Sequence, residues 1–227
     1  KAVSDNIYLE ISSKVKKLLN KNIKPKLAAI LIGDNPASKI YVGMKNRMFS
    51  KMGCSSKIYN LDSKISEKDL LELIGELNKD ESVHGILLQL PIPKHFNSNK
   101  ILSYINPSKD VDGFHPENLG YLLQGSPRFI PCTPYGCIEI LKYYAINLQS
   151  KHVVIVGRSN IVGMPLSLLF LHRNATVTIC HSHTRDLQQY TKKADILVAC
   201  CGKRQMIKKE HIKDNCVIID VGINTIP

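Results

Sequence analysis

The chain has 227 residues, 44% of them hydrophobic, which suffices for two α/β units of ordinary size. No apolar run approaches the roughly 18 residues of a spanning helix, and the opening KAVSDNIYLE lacks the apolar core of a secretory signal, so membrane-spanning and exported classes are set aside. A formal net charge of +12 is compatible with nucleic acid, a membrane surface or small anionic ligands; the lack of Trp, of RNA-binding aromatic motifs and of zinc-finger spacing argues against the first.

In chain order, Lys14, Lys16, Lys17 and Lys21 read as the solvated face of a first helix. Residues 26–33 (KLAAILIG) read as a strand, 37–52 as a helix ending at Gly53, and 56–60 as a short strand. Ser66, with Asp69 three residues on, caps a helix whose apolar stripe is Leu70, Leu73, Ile74 and Leu77, and residues 84–90 (HGILLQL) form a buried strand. Helices alternating with apolar strands imply a parallel sheet, in which ligands bind beyond the carboxyl ends of the strands. Gln89, just before Pro91, falls at such an end; a surface glutamine is the plain alternative.

On the helix at 37–52, Ser38, Tyr41 and Lys45 are spaced i, i+3 and i+7, which at about 100° per residue places them on one narrow stripe. Met44, Met48 and Met52 are expected alongside as a core-facing row, putting Lys45 at the border of a buried face. Desolvation there would ease its proton exchange near neutral pH; a lysine that only lays its stem on apolar surface is the alternative. Residues 106–118 (NPSKDVDGFHPEN) read as a loop in which Asp110 and Asp112 are compatible with acid/base work, a metal, Asx-turn chemistry, or one carboxylate holding a heterocycle; two acids are too few for a metal cage, and no metal is expected. Pro131 to Pro134 form a stiff joint before a connector helix at about 135–145.

Residues 152–186 read as strand, glycine turn, helix and second strand. Residues 153–156 are the first strand, Gly157 makes the turn, Pro165 suits a first helical turn, the helix runs to about Asn174, and 175–180 are the next parallel strand. Phosphate would sit on the helix N-terminus. The turn departs from G-x-G-x-x-G, with Ser159 at the second glycine and Gly163 one residue late, and such turns also occur in domains that bind no nucleotide. Where an NAD site carries an acid, this chain has His181, Ser182, His183 and Arg185, with Arg158 in the turn, a set suited to a 2′-phosphate. The seven cysteines lack CxxC pairing and several fall in apolar strands, which fits buried thiols in a reducing compartment.

SKIYVGMK, GILLQLPIP, PSKDVDGFHPENLG, PCTPYGC, VGRSNIVGMP with ATVTICHS, and CVIIDVGIN, in this order, resemble the methylenetetrahydrofolate dehydrogenase/methenyltetrahydrofolate cyclohydrolase family, from about residue 26 to the end. The resemblance implies an α/β chain of two domains with a cleft between them: an N-terminal folate-binding domain, taken as 1–134, and a C-terminal Rossmann-like parallel-sheet NAD(P) domain, taken as 135–227. It implies NADP-dependent oxidation of 5,10-methylenetetrahydrofolate, hydrolysis to 10-formyltetrahydrofolate, a cytoplasmic role in one-carbon metabolism and purine biosynthesis, and a homodimer joined through the cofactor domains, with no nucleic acid or membrane partner. By resemblance, Lys45 is the catalytic lysine, Gln89 tunes it, Tyr41 lines the pterin pocket with Ser38 and Pro91, and Asp112 anchors the pterin ring. Gly157, Arg158, Ser159, Ile161, Ser182 and Ile223 fall at cofactor positions, with Arg158 and Ser182 on the 2′-phosphate. The family's GDV and glycine–proline-rich segment and final helix are expected beyond Pro227. A shikimate-dehydrogenase-like enzyme, a dehydrogenase-only relative and a basic non-catalytic binder are the alternatives.

Overall fold

The structure is a computed structural model that describes residues 2–222. It divides into two compact units, residues 1–118 and 119–227, each with its own parallel sheet.

The first unit runs α1 (Ala2–Leu19), β1 (Lys26–Ile32), α2 (Pro36–Lys51), β2 (Ser55–Leu61), α3 (Glu67–Lys79), β3 (Gly85–Leu88) and α4 (Ser98–Tyr104). Its sheet has the order β2-β1-β3, all parallel. Alternate residues of β1 serve opposite faces, as a two-sided parallel strand must. Ala28, Ile30 and Ile32 join Leu70, Ile74 and Leu77 of α3 and Ile101 of α4; Leu27 and Ala29 join Val42 of α2. Helix α3 forms as its sequence dictates, since the Ser66 hydroxyl accepts the Asp69 N–H at 3.1 Å and the 4,3 spacing of Leu70, Ile74 and Leu77 gives one buried stripe. Truncating fully buried Ile74 to alanine would cost about 2–5 kcal/mol.

From the central strand β1 the chain crosses to β2 on one side, then returns past β1 to β3 on the other. Connections therefore diverge between β1 and β3, and their carboxyl ends make the crevice where doubly wound sheets hold ligands.

The second unit follows from α5 (Pro116–Leu123), which spans the division, through α6 (Cys132–Tyr143), β4 (His152–Val156), α7 (Gly163–Leu171), β5 (Thr176–Cys180), α8 (Leu187–Thr191), β6 (Ile196–Ala199) and β7 (Val217–Asp220). The parallel order is β5-β4-β6-β7. Val153 and Ile155 face a core with Ile138 and Leu141 of α6 and Leu166, Leu169 and Phe170 of α7, while Val154 and Val156 face Cys180, Leu197 and Leu187.

Several expectations need adjustment. Met44 and Met48 are exposed at 49% and 38%, and the buried residues of α2 are Ser38 and Val42; these two methionines of the expected row face outward because β1 and β2 are covered by the opposite face of the helix, while Met52 is half-buried at its C-cap. Helix α6 begins three residues before its expected start, since Pro134 lies in a first turn that needs no N–H from it. Lys21 lies past the end of α1, in a turn. Helix α7 ends at Leu171, with Asn174 at φ 60 and the Ala175 N–H returning to the Phe170 carbonyl. Cys54, Cys137 and Cys180 are buried and Cys132 is exposed. Burial pushes the Cys137 and Cys200 thiols up to about 11. Among the described residues no helix is long and apolar enough to cross a membrane.

Candidate active site

Two elements meet at the carboxyl end of the first sheet. Helix α2 starts just beyond β1, its first turn fixed by Asn35, whose side chain accepts the Ser38 N–H at 3.0 Å, and by Pro36. Beyond β3, the Gln89 N–H still bonds the Ile30 carbonyl of β1 at 2.9 Å, so the backbone of Gln89 is tied to the central strand. The next peptide bond, Leu90–Pro91, is cis.

Lys45 is half-buried, and its Nζ stands 3.4 Å from Gln89 Oε1. The other end of that amide, Nε2, donates to the Leu90 carbonyl at 2.8 Å. A carbonyl can only accept, so the amide nitrogen must point there and the oxygen must face the lysine. On the same helix Tyr41 is 37% exposed, while Ser38 is buried at 2%. The stripe therefore runs from a buried hydroxyl to an accessible phenol and a half-covered amine. Pro91 is exposed.

Asp112 is half-buried within a turn closed by the Gly113 N–H on the Asp110 carbonyl at 3.2 Å, with Gly113 at φ +71. The stretch before it pairs with β3 through a parallel bridge between Ile86 and Asp110. Parallel pairing carries Asp112 toward the same sheet end as Gln89. The two carboxylates behave differently. Asp110 is 2% exposed and its Oδ2 accepts from the His115 N–H and from Asn118 Nδ2, each at 2.8 Å. Sequence spacing could not separate them, because the buried partner Asn118 lies eight residues away. Residues 116–118, expected as loop, open α5. Among the described residues no cluster of three His, Cys, Asp or Glu could hold a metal ion.

In the second unit the glycine turn joins β4 to α7. Gly157 has φ +135, and a Cβ there would stand 2.8 Å from the Cys200 carbonyl and 2.7 Å from its sulfur. A Cβ on Gly163 would stand 2.1 Å from the Gly157 carbonyl. Both glycines are thus imposed by close backbone approach, which lets the chain fold tightly over the strand end. Ser159, in place of a second glycine, accepts the Val162 N–H through its hydroxyl at 3.2 Å. Cys200, which seats this turn, was not singled out by the sequence because its role is contact with a glycine 43 residues earlier.

The Gly157 N–H bonds the Cys180 carbonyl at 2.8 Å, so the turns after β4 and β5 lie side by side. Arg158 and Ser182, each just beyond that pair, are exposed, as is Ile161 at 37%. Ile223 lies outside the described residues. A glycine-lined turn, a nine-residue helix presenting its N-terminus, and a cation and hydroxyl in place of an acid fit a dinucleotide with a 2′-phosphate.

Comparison with known proteins identifies the family. Residues 1–112 match the tetrahydrofolate dehydrogenase/cyclohydrolase catalytic domain, and residues 131–227 match the NAD(P)-binding domain of the same family. A bifunctional protein FolD from Geotalea daltonii is 49% identical over 226 residues, covering 100% of this chain and 81% of its own. The crystal structure of the bifunctional methylenetetrahydrofolate dehydrogenase/cyclohydrolase from Campylobacter jejuni is similar at TM-score 0.95 and 46% identity, over 99% of this chain and 80% of that one. The Trypanosoma brucei enzyme complexed with NADP and inhibitor is similar at TM-score 0.93 and 32% identity, over 98% of this chain and 77% of its own.

Proposed function

The chain belongs to the tetrahydrofolate dehydrogenase/cyclohydrolase family, and from that we propose that its residues divide into a folate-binding half, residues 1–134, and a cofactor-binding half, residues 135–227, which serve both of the family's reactions. The protein oxidises 5,10-methylenetetrahydrofolate to the methenyl form with NADP and hydrolyses that product to 10-formyltetrahydrofolate. When bound, NADP supplies the hydride acceptor.

The observation that carries the residue assignment is the 3.4 Å approach of Lys45 Nζ to Gln89 Oε1 at the carboxyl end of the sheet. Removing hydride from the carbon between two tetrahydrofolate nitrogens leaves a cation delocalised over both. Water adds to that carbon, one carbon–nitrogen bond breaks, and the freed nitrogen gains a proton. Lys45 moves these protons: its amine takes one from the attacking water and returns it to the departing nitrogen, while water's second proton leaves to solvent as the formyl carbonyl forms, which balances the lost positive charge. Gln89, oriented by Leu90, holds the amine in place. Tyr41 offers a face to the pterin, with Ser38 and Pro91 bordering the same pocket. The Asp112 carboxylate accepts from pterin N–H groups, a pairing that fixes the ring's orientation. In the second unit, the N-terminus of α7 with Gly157, Ser159 and Ile161 receives the diphosphate, and Arg158 and Ser182 hold the 2′-phosphate. Ile223 is assigned to the cofactor by resemblance. The protein works in the cytoplasm as a homodimer.

Following methylenetetrahydrofolate with NADP and separately with NAD by absorbance tests the reading. Reduction of NADP with transient methenyl product that then decays is expected. Stable accumulation of the methenyl form would remove the hydrolytic role from Lys45.

A further inference from the structure

Asp112 is held at one point of a loop whose anchoring exceeds what a surface connection needs. The segment before it is pinned to β3, with the Ile86 N–H donating to the Lys109 carbonyl at 2.7 Å and Ile86 bridging Asp110. Next to that bridge, a Cβ on Gly85 would lie 2.5 Å from Val111 Cγ1, so the absence of a side chain on Gly85 makes the seat for Val111. The far side is fixed by Asn118, which is fully buried and donates to Asp110 Oδ2 at 2.8 Å and to the Pro107 carbonyl at 2.9 Å. His115 adds its backbone N–H to the same carboxylate oxygen, and its ring nitrogen Nε2 lies 3.1 Å from the Ser103 carbonyl on α4.

We propose that Asp110, held by Asn118 and His115, is the positioning residue that aims the Asp112 carboxylate at the folate ring. A carboxylate that is 2% exposed and met by neutral N–H donors is an expensive way to close a loop, since apolar side chains could tie the same segments together. Directional hydrogen bonds do what apolar contacts cannot: they fix orientation. The Asp110 carbonyl and the Gly113 N–H close the turn around Asp112, so rotation at residue 110 becomes displacement at residue 112. A group misplaced by about 1 Å can lose on the order of 100-fold in rate. The inference rests on the assignment of Asp112 to the folate ring given above.

Kinetics of Asp110→Asn, Asp112→Asn and the double variant test it, together with NADP affinity by calorimetry and melting temperature. Asp110→Asn is expected to raise the Michaelis constant for methylenetetrahydrofolate at least 10-fold and leave NADP affinity unchanged. In the Asp112→Asn background it should add less than 2-fold, because an aiming residue has nothing left to aim. Asn118→Ala serves if Asp110→Asn does not fold. Losses that multiply in the double variant, or a lowered melting temperature with an unchanged folate constant, would overturn the proposal. An unchanged folate constant in Asp112→Asn alone would instead remove the reading of Asp112, and this inference with it.

Discussion

Lys45 and Gln89 are 44 positions apart in sequence, yet Nζ of one stands 3.4 Å from Oε1 of the other. The pair exists because α2 and the end of β3 both meet the carboxyl end of β1, and because the Leu90 carbonyl uses up the amide nitrogen. A separation this long is slack for a charged hydrogen bond; such contacts tighten when substrate closes the site.

Replacing Lys45 with methionine keeps the stem and removes the ionisable group. Hydrolysis of methenyltetrahydrofolate should fall roughly 10²- to 10⁴-fold, the scale of a positioned acid/base, with little change in melting temperature. Wild-type hydrolysis by the variant would show that the proton moves elsewhere.

Asp112→Asn should weaken folate binding by about 1.5–3 kcal/mol, since an amide presents donors to donors where a carboxylate accepted. Calorimetry with NADP should be unaffected. Equal losses for both ligands would assign the residue to folding.

Arg158→Ala should raise the Michaelis constant for NADP and barely alter that for NAD, narrowing the preference roughly 10-fold for each 1.4 kcal/mol lost. An unchanged ratio would place the 2′-phosphate on other groups.

Gly163→Ala puts a methyl 2.1 Å from the Gly157 carbonyl, and backbone cannot swing aside as a side chain can. A loss of about 2–3 kcal/mol is expected, with NADP affinity falling alongside. A variant that melts like the wild type would mean that the turn opens freely.

Thiol chemistry offers a pH test. With Cys200 pushed up to about 11 by burial, only roughly one thiol in a thousand is thiolate at pH 8, so alkylation should mark exposed Cys132 well before Cys200. The folded state favours the neutral thiol. Its contribution to stability is therefore complete below the ordinary thiol pKa near 9 and lost as pH rises through about 11. Early labelling of Cys200 at neutral pH would contradict the burial.

Much of this was legible in the sequence where a local pattern decides the outcome. Ser66 with Asp69 announced α3, the apolar run of β1 announced a central strand, and Gly157 announced the cofactor turn. Helix α2 was legible in extent and misleading in orientation. Its buried face carries Ser38, Val42 and the partly buried Phe49, while Met44 and Met48 face outward. The stripe of Ser38, Tyr41 and Lys45 was readable because residues on one helix share a face by geometry alone. By contrast, the distinction between Asp110 and Asp112 depends on Asn118, and the glycine at 157 depends on Cys200; partners that distant leave no periodic trace.

The bridge between Ile86 and Asp110 also bears on solubility. Strand β3 reads GILL and is buried at all four positions, so left open along its outer side it would offer unpaired backbone and bare apolar surface to any passing chain. The opposite rim of the sheet, β2, is guarded by the exposed Lys57 and Asn60. Residues 109–111 thus serve as a shutter on the vulnerable rim, and concentrated protein in which they have been prised away is expected to precipitate before its helices melt.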